Sequence, residues 1–115
     1  MDINHLHLAV ADVNRSEKFY SEHLGFKRKT VHGKILFLTN EAGFDLALDP
    51  EYAPEKLPDW FHFGFRLESS VEVRDLFAKM TEKSVTIHKA LQEYNDWIFF
   101  RCADPDGYLI EVYWE

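Results

Sequence analysis

Apolar and polar positions alternate along residues 3–11, with His5, His7 and Ala9 on one side and Leu6, Leu8 and Val10 on the other. That two-residue period is the mark of a half-buried β-strand. The pattern then changes. Asn14 is a predicted helix cap, with Glu17 at the capping-box position three residues on. Phe19, Tyr20 and Leu24 give the helix an apolar side, and Gly25 can close it in a left-handed turn. Extended segments are predicted near 26–32, 34–39 and 43–48. Pro50, Pro54 and Pro58 resist both helix and central strand, so residues 50–59 read as a linker.

The order then repeats. A strand is predicted near 60–67, followed by Ser69 and Glu72 as a second capping signal. Val73, Leu76, Phe77 and Met80 follow at helical spacing, and strands are predicted near 85–90, 96–102 and 107–114. Asp104-Pro105-Asp106-Gly107 is a strong turn signal. Each half is therefore β-α-β-β-β, and the chain is an imperfect internal repeat. Its first half opens on His5-Leu6-His7-Leu8-Ala9-Val10 and its second on His62-Phe63-Gly64-Phe65-Arg66-Leu67. Both fit His-x-x-apolar-x-apolar, so His5 and His62 occupy equivalent places. Equivalent side chains of a doubled module are expected to converge near a pseudo-two-fold axis. Aligning the last strands sets Glu111 against Ala47.

A chain of 115 residues with 46% apolar residues suits one domain, here 1–115, divided into a module over about 1–49 and another over about 60–115. The formal charge of −7 disfavours nonspecific attraction to nucleic acid or anionic lipid. The apolar runs are too short for a membrane span or secretory signal. A single cysteine, Cys102, rules out an internal disulfide and fits a reducing compartment. A cytoplasmic location is expected.

Three segments carry a resemblance: His5-Leu6-His7-Leu8-Ala9-Val10-Ala11-Asp12; Ser16-Glu17-Lys18-Phe19-Tyr20 with Leu24-Gly25-Phe26; and Asp104-Pro105-Asp106-Gly107-Tyr108-Leu109-Ile110-Glu111. In that order and at this length they resemble the vicinal oxygen chelate superfamily, which includes glyoxalase I, fosfomycin- and bleomycin-resistance proteins and extradiol dioxygenases. The resemblance implies an α+β fold of two βαβββ modules forming a curved mixed sheet around a cleft. It also implies a divalent metal ion (Mn, Fe, Ni, Zn or Co) held by His5, His62 and Glu111, a small-molecule substrate and a homodimer. Many relatives take a fourth ligand from the last strand of the first module, where this chain has Ala47.

Two imidazoles and a carboxylate suit a first-row divalent ion and leave coordination positions for substrate oxygens. His7 shares a strand face with His5 and is a candidate general acid or base. Tyr113 shares one with Glu111 and is a candidate hydrogen-bond donor to substrate. Arg101 and Arg66 are candidate anion binders, because an inward arginine is costly without an anion. Phe99 and Trp97, on the Arg101 side, are candidate pocket walls. Gly64 either leaves room beside His62 or relieves packing. His23, His32 and His88 are expected at the surface, as are the acidic residues of 41–55, and Cys102 is expected to be a buried inert thiol.

The expected chemistry is Lewis-acid catalysis on an oxygen-chelating, anionic substrate, by a lyase, isomerase or transferase. Ala47 weakens a glyoxalase reaction, in which the first-module carboxylate helps move the proton. The fosfomycin-resistance group resembles this chain more closely, although His7 replaces its threonine. Alternatives are a metal-free drug binder of the bleomycin-resistance type and an extradiol-type dioxygenase.

Overall fold

The computed structural model describes all 115 residues, and the chain packs as two compact units, Met1–Glu55 and Lys56–Glu115. Each is a βαβββ module with a four-stranded mixed sheet, the α+β architecture expected from the repeat.

The first unit contains β1 (His5–Ala9), α1 (Val13–Leu24), β2 (Lys27–His32), β3 (Ile35–Thr39) and β4 (Asp45–Asp49). Its sheet runs in the order β1-β4-β3-β2, with β1 and β4 parallel and the other pairs antiparallel. A parallel pair needs a crossover, and α1 begins it. Leu8, Leu36, Leu38, Leu46 and Leu48 are buried with Phe19 and Tyr20 of the helix. The helix cap is Asp12 rather than Asn14. Asp12 has the extended backbone, its side chain accepts from the Arg15 N–H and its carbonyl from the Ser16 N–H. Glu17 is consequently free of capping duty. It takes a two-point contact from Arg28 instead, at 2.8 and 2.9 Å, and that guanidinium holds its carboxyl below the usual range. Gly25 ends the helix at φ 73°, as its lack of a Cβ allows.

The second unit contains β5 (Phe63–Arg66), α2 (Ser70–Glu82), β6 (Ile87–Glu93), β7 (Ile98–Ala103) and β8 (Leu109–Trp114), in the sheet order β5-β8-β7-β6. Ile98, Phe100, Cys102, Ile110 and Val112 form its buried face with Val73 and Met80 of α2. Ser69 caps α2, its hydroxyl accepting from the Glu72 N–H. Glu72 reaches back to the N–H of Glu68, one residue earlier than a capping box would place it. No helix is long and apolar enough to cross a membrane.

Cys102 is fully buried on the helix side of β7. Burial, reinforced by the negative charge of Asp104, pushes its thiol up to about 12. The reactive thiolate is therefore suppressed near neutrality. A disulfide reagent at about pH 8 is expected to leave the native protein unlabelled and to react once denaturant is added. Rapid labelling of folded protein would show that this strand opens freely.

Candidate metal and substrate site

The chemistry-bearing side chains of the second unit lie opposite its buried face. Gly64 pairs with Glu111 across the parallel β5–β8 ladder, Glu111 with Arg101 across β8–β7, and Arg101 with Lys89 across β7–β6. The next row is Arg66, Tyr113, Phe99 and Gln92. Lys89 and Gln92 reach this face only because β6 carries two irregularities, between Ile87 and Lys89 and between Lys89 and Gln92. Each inserts one residue and restores the alternation on the site side, as β-bulges do beside functional surfaces.

His62 stands just before β5, with Nε2 3.8 Å from Glu111 Oε1 and Nδ1 3.2 Å from the Trp60 carbonyl. A carbonyl only accepts, so Nδ1 carries a hydrogen and Nε2 is the nitrogen that faces the carboxylate. A ring held through Nδ1 by a backbone acceptor presents Nε2 as the nitrogen a metal would take. Arg101 Nε lies 3.1 Å from the same Glu111 oxygen and its guanidinium 5.4 Å from the Phe99 ring centre, while Lys89 Nζ lies 5.8 Å from that centre. Phe99 and Trp97 stack at 4.5 Å, and Trp97 stacks on Tyr94 at 5.3 Å. Arg66 turns its guanidinium to the Glu115 carbonyl. A Cβ at Gly64 would stand 3.3 Å from the Glu111 carbonyl oxygen and 3.7 Å from the Tyr113 ring, so glycine there serves the close approach of β5 to β8.

In the first unit, His5 and His7 line a cleft of about 370 Å³ with Lys29, Phe37, Asp45 and Ala47. His5 Nδ1 lies 2.8 Å from the side-chain oxygen of Asn4, so this ring, like that of His62, is held through Nδ1. His7 is reversed: its Nε2 is 2.8 Å from Asp49 Oδ2. The Glu51 N–H and then His7 hold the Asp49 carboxyl below its usual range, against an opposing effect of burial. Lys29 pairs with Asp45 at 2.5 Å and, with Thr39, lowers that carboxyl too.

The two ladders confirm the register of the repeat. His7 pairs with Ala47 in the first unit as Gly64 pairs with Glu111 in the second, so Ala47 does stand in the place of Glu111. The structure brings His62, Glu111, Arg101, Phe99, Trp97 and Tyr113 onto one face of the second unit, and His5 and His7 into one cleft of the first. Within either unit, no three His, Cys, Asp or Glu side chains are close enough to hold a metal ion.

Sequence reasoning missed two residues and misplaced a third. Asp49 was expected among solvated surface acids but is only 2% exposed. Its signal was present: Asp45, Ala47 and Asp49 alternate on the face paired with His5 and His7. Lys89 left no such trace, because the bulge that aims it has no compositional mark. His23, expected at the surface, is half-buried with its ring 5.3 Å from that of Phe19.

The fold defines a protein built from two βαβββ modules. A profile of the Glyoxalase/Bleomycin resistance protein/Dioxygenase superfamily matches residues 2–112, and the chain belongs to that superfamily. It is 29% identical over 114 residues to the glutathione transferase FosA of Serratia marcescens, covering 96% of this chain and 79% of that protein. It is 32% identical over an alignment of 127 residues to glyoxylase I 4 of Arabidopsis thaliana, covering 96% and 68%. Among solved structures, a possible glyoxalase from Bacillus cereus superposes with a TM-score of 0.80 at 28% identity, over 97% of each chain. The fosfomycin resistance protein FosX of Listeria monocytogenes superposes with a TM-score of 0.84 over 100% of this chain and 93% of its own, and its 19% identity speaks to fold alone.

Proposed function

We propose that this chain is a divalent-metal-dependent enzyme acting on a small, oxygen-chelating, anionic substrate, with His5, His62 and Glu111 as the ligands of Mn, Fe, Ni, Zn or Co. The supporting observation is that His5 and His62 are both held through Nδ1, together with the approach of His62 Nε2 to Glu111. Both imidazoles commit Nδ1 to an oxygen and present Nε2 as the nitrogen for a metal, while His7 commits Nε2 instead. When bound, the ion supplies Lewis-acid polarisation of substrate oxygens.

The protein's own groups bind and orient. Arg101 holds Glu111 through Nε, leaving its terminal nitrogens for a substrate anion. Arg66, engaged with the Glu115 carbonyl, stands as the secondary anion contact. Phe99 and Trp97 wall the face, and Tyr113, one register step from Glu111, offers a hydroxyl to the substrate. His7 acts from the cleft of the first unit. Likeness to FosA and to a plant glyoxylase I supports a transferase, lyase or isomerase reaction, and Ala47 disfavours a mechanism needing a first-module carboxylate. A homodimer is the expected assembly.

Metal content tests the reading. After loading with zinc or manganese and desalting, the wild type is expected to retain about one equivalent per chain. His62→Ala is expected to retain almost none while keeping its circular dichroism spectrum. A wild type that retains no metal favours metal-free ligand binding, and a variant that retains as much as the wild type removes His62 from the ligand set.

A further inference from the structure

We infer that Asp49 is a positioning residue for His7: it accepts the ring Nε2–H and thereby leaves Nδ1 as a lone-pair acceptor in the cleft of the first unit, selecting ligands with a hydroxyl or another hydrogen donor. The inference rests on the reading in which His7 faces substrate, and adds to it a reason for the ring's orientation and a class of ligand.

The carboxylate is fixed from several sides. Asp49 ends β4 opposite Ala9, and its carbonyl accepts the Val10 N–H at 3.0 Å. One side-chain oxygen accepts the Glu51 N–H at 2.9 Å and the other meets His7 Nε2 at 2.8 Å. A buried carboxylate without such partners would be strongly unfavourable, and these partners bind its ionised form. An ionised carboxylate has no proton to give, so the hydrogen on this contact belongs to the imidazole.

The result is an imidazole with one buried, committed edge and one open edge. The His7 side chain is 50% exposed and lines the 370 Å³ cleft, and its only hydrogen bond is the one to Asp49. Nδ1 of the neutral ring can only accept. A ligand that offers an O–H or N–H gains a hydrogen bond there, whereas one that offers only acceptor oxygens meets lone-pair repulsion.

The fold does not impose this pair. In the second unit the matching places, set by the same ladder register, hold Gly64 and Tyr113. An identical scaffold thus forms without an imidazole or an acid at either position. The pair belongs to the cleft of the first unit and is not part of the sheet's architecture.

Nitrogen-15 and proton NMR of the histidine side chains tests the inference in the protein without added metal. The wild type is expected to show a downfield, exchange-protected Nε2–H resonance from His7, with Nδ1 at the shift of an unprotonated ring nitrogen. Asp49→Ala is expected to lose that protected resonance. Asp49→Asn, which keeps a side-chain oxygen acceptor and the shape of the residue, is expected to restore it and guards against a fold defect in the alanine variant. Titration with glycolate is expected to move the His7 Nδ1 resonance, whereas acetate, the matched acid without a hydroxyl, leaves it in place. Persistence of the protected resonance in Asp49→Ala, its absence from the wild type, or an equal response to both acids would overturn the inference. None of these readouts uses bound metal, so their failure is separable from failure of the metal reading, which is decided by metal content.

Discussion

Phe100→Ala is expected to destabilise the protein by about 3–5 kcal/mol, as full truncation of a buried aromatic ring does. For a chain of this length that corresponds to a fall in Tm of roughly 12–20 °C. Phe100 is wholly inaccessible at the middle of β7, and its ring meets that of Phe77 on α2 at 5.2 Å in an edge-to-face arrangement. Truncation removes the buried area and leaves a cavity between sheet and helix, because the paired strands on either side cannot close over it. A stability of about 5–15 kcal/mol is typical of such domains, so this one substitution removes a large share. Tyr113→Phe, on the opposite face, is expected to change stability far less, because it deletes only the hydroxyl of a half-buried side chain. Urea and thermal melts of both variants check the contrast. A Phe100→Ala loss below about 1 kcal/mol would mean that the second unit's core collapses around the void.

That contrast between faces was legible in the sequence. The two-residue period of an extended strand, anchored by Arg101 and Glu111, separates Phe100, Cys102, Ile110 and Val112 from Phe99, Arg101, Glu111 and Tyr113, and the ladders follow it. The repeat also gave the correspondence of Ala47 with Glu111, since laying Gly43-Phe44-Asp45-Leu46-Ala47 over Gly107-Tyr108-Leu109-Ile110-Glu111 sets that register and the ladders agree with it. Three features were not legible, each for its own reason. Asp12 and Asn14 both make good helix caps, and only the backbone torsions decide between them. The bulges of β6 aim Lys89 without changing the local composition. The pairing of Asp49 with His7 spans 42 residues of chain, so it depends on the parallel β1–β4 contact, which no local pattern reports.

The turn that delivers β8 to the site is expected to be the most sensitive polar feature of the second unit. Asp104 is 5% exposed, and one of its side-chain oxygens accepts the N–H groups of Asp106 at 2.9 Å and Tyr108 at 3.0 Å. Its backbone pairs with Tyr108 in one direction and with Gly107 in the other, and Gly107 turns the chain at φ 90°. Asp104→Ala strips the acceptor from both amides at once. Donors left without a partner near a buried position cost about 1–3 kcal/mol each, so a total of about 2–6 kcal/mol is expected. Asp104→Asn keeps an oxygen in the same place and is expected to recover about half of that, since bonds to a charged acceptor exceed those to a neutral one. The consequence reaches the site because the turn sets the β7–β8 register. A slip of one residue would carry Glu111 to the buried face and separate it from Arg101 and His62. Under the proposed metal chemistry, Asp104→Ala should therefore hold zinc less tightly than Asp104→Asn at a temperature where both remain folded. Equal affinity in the two variants would show that strand pairing alone keeps Glu111 in register and that the turn contributes only stability.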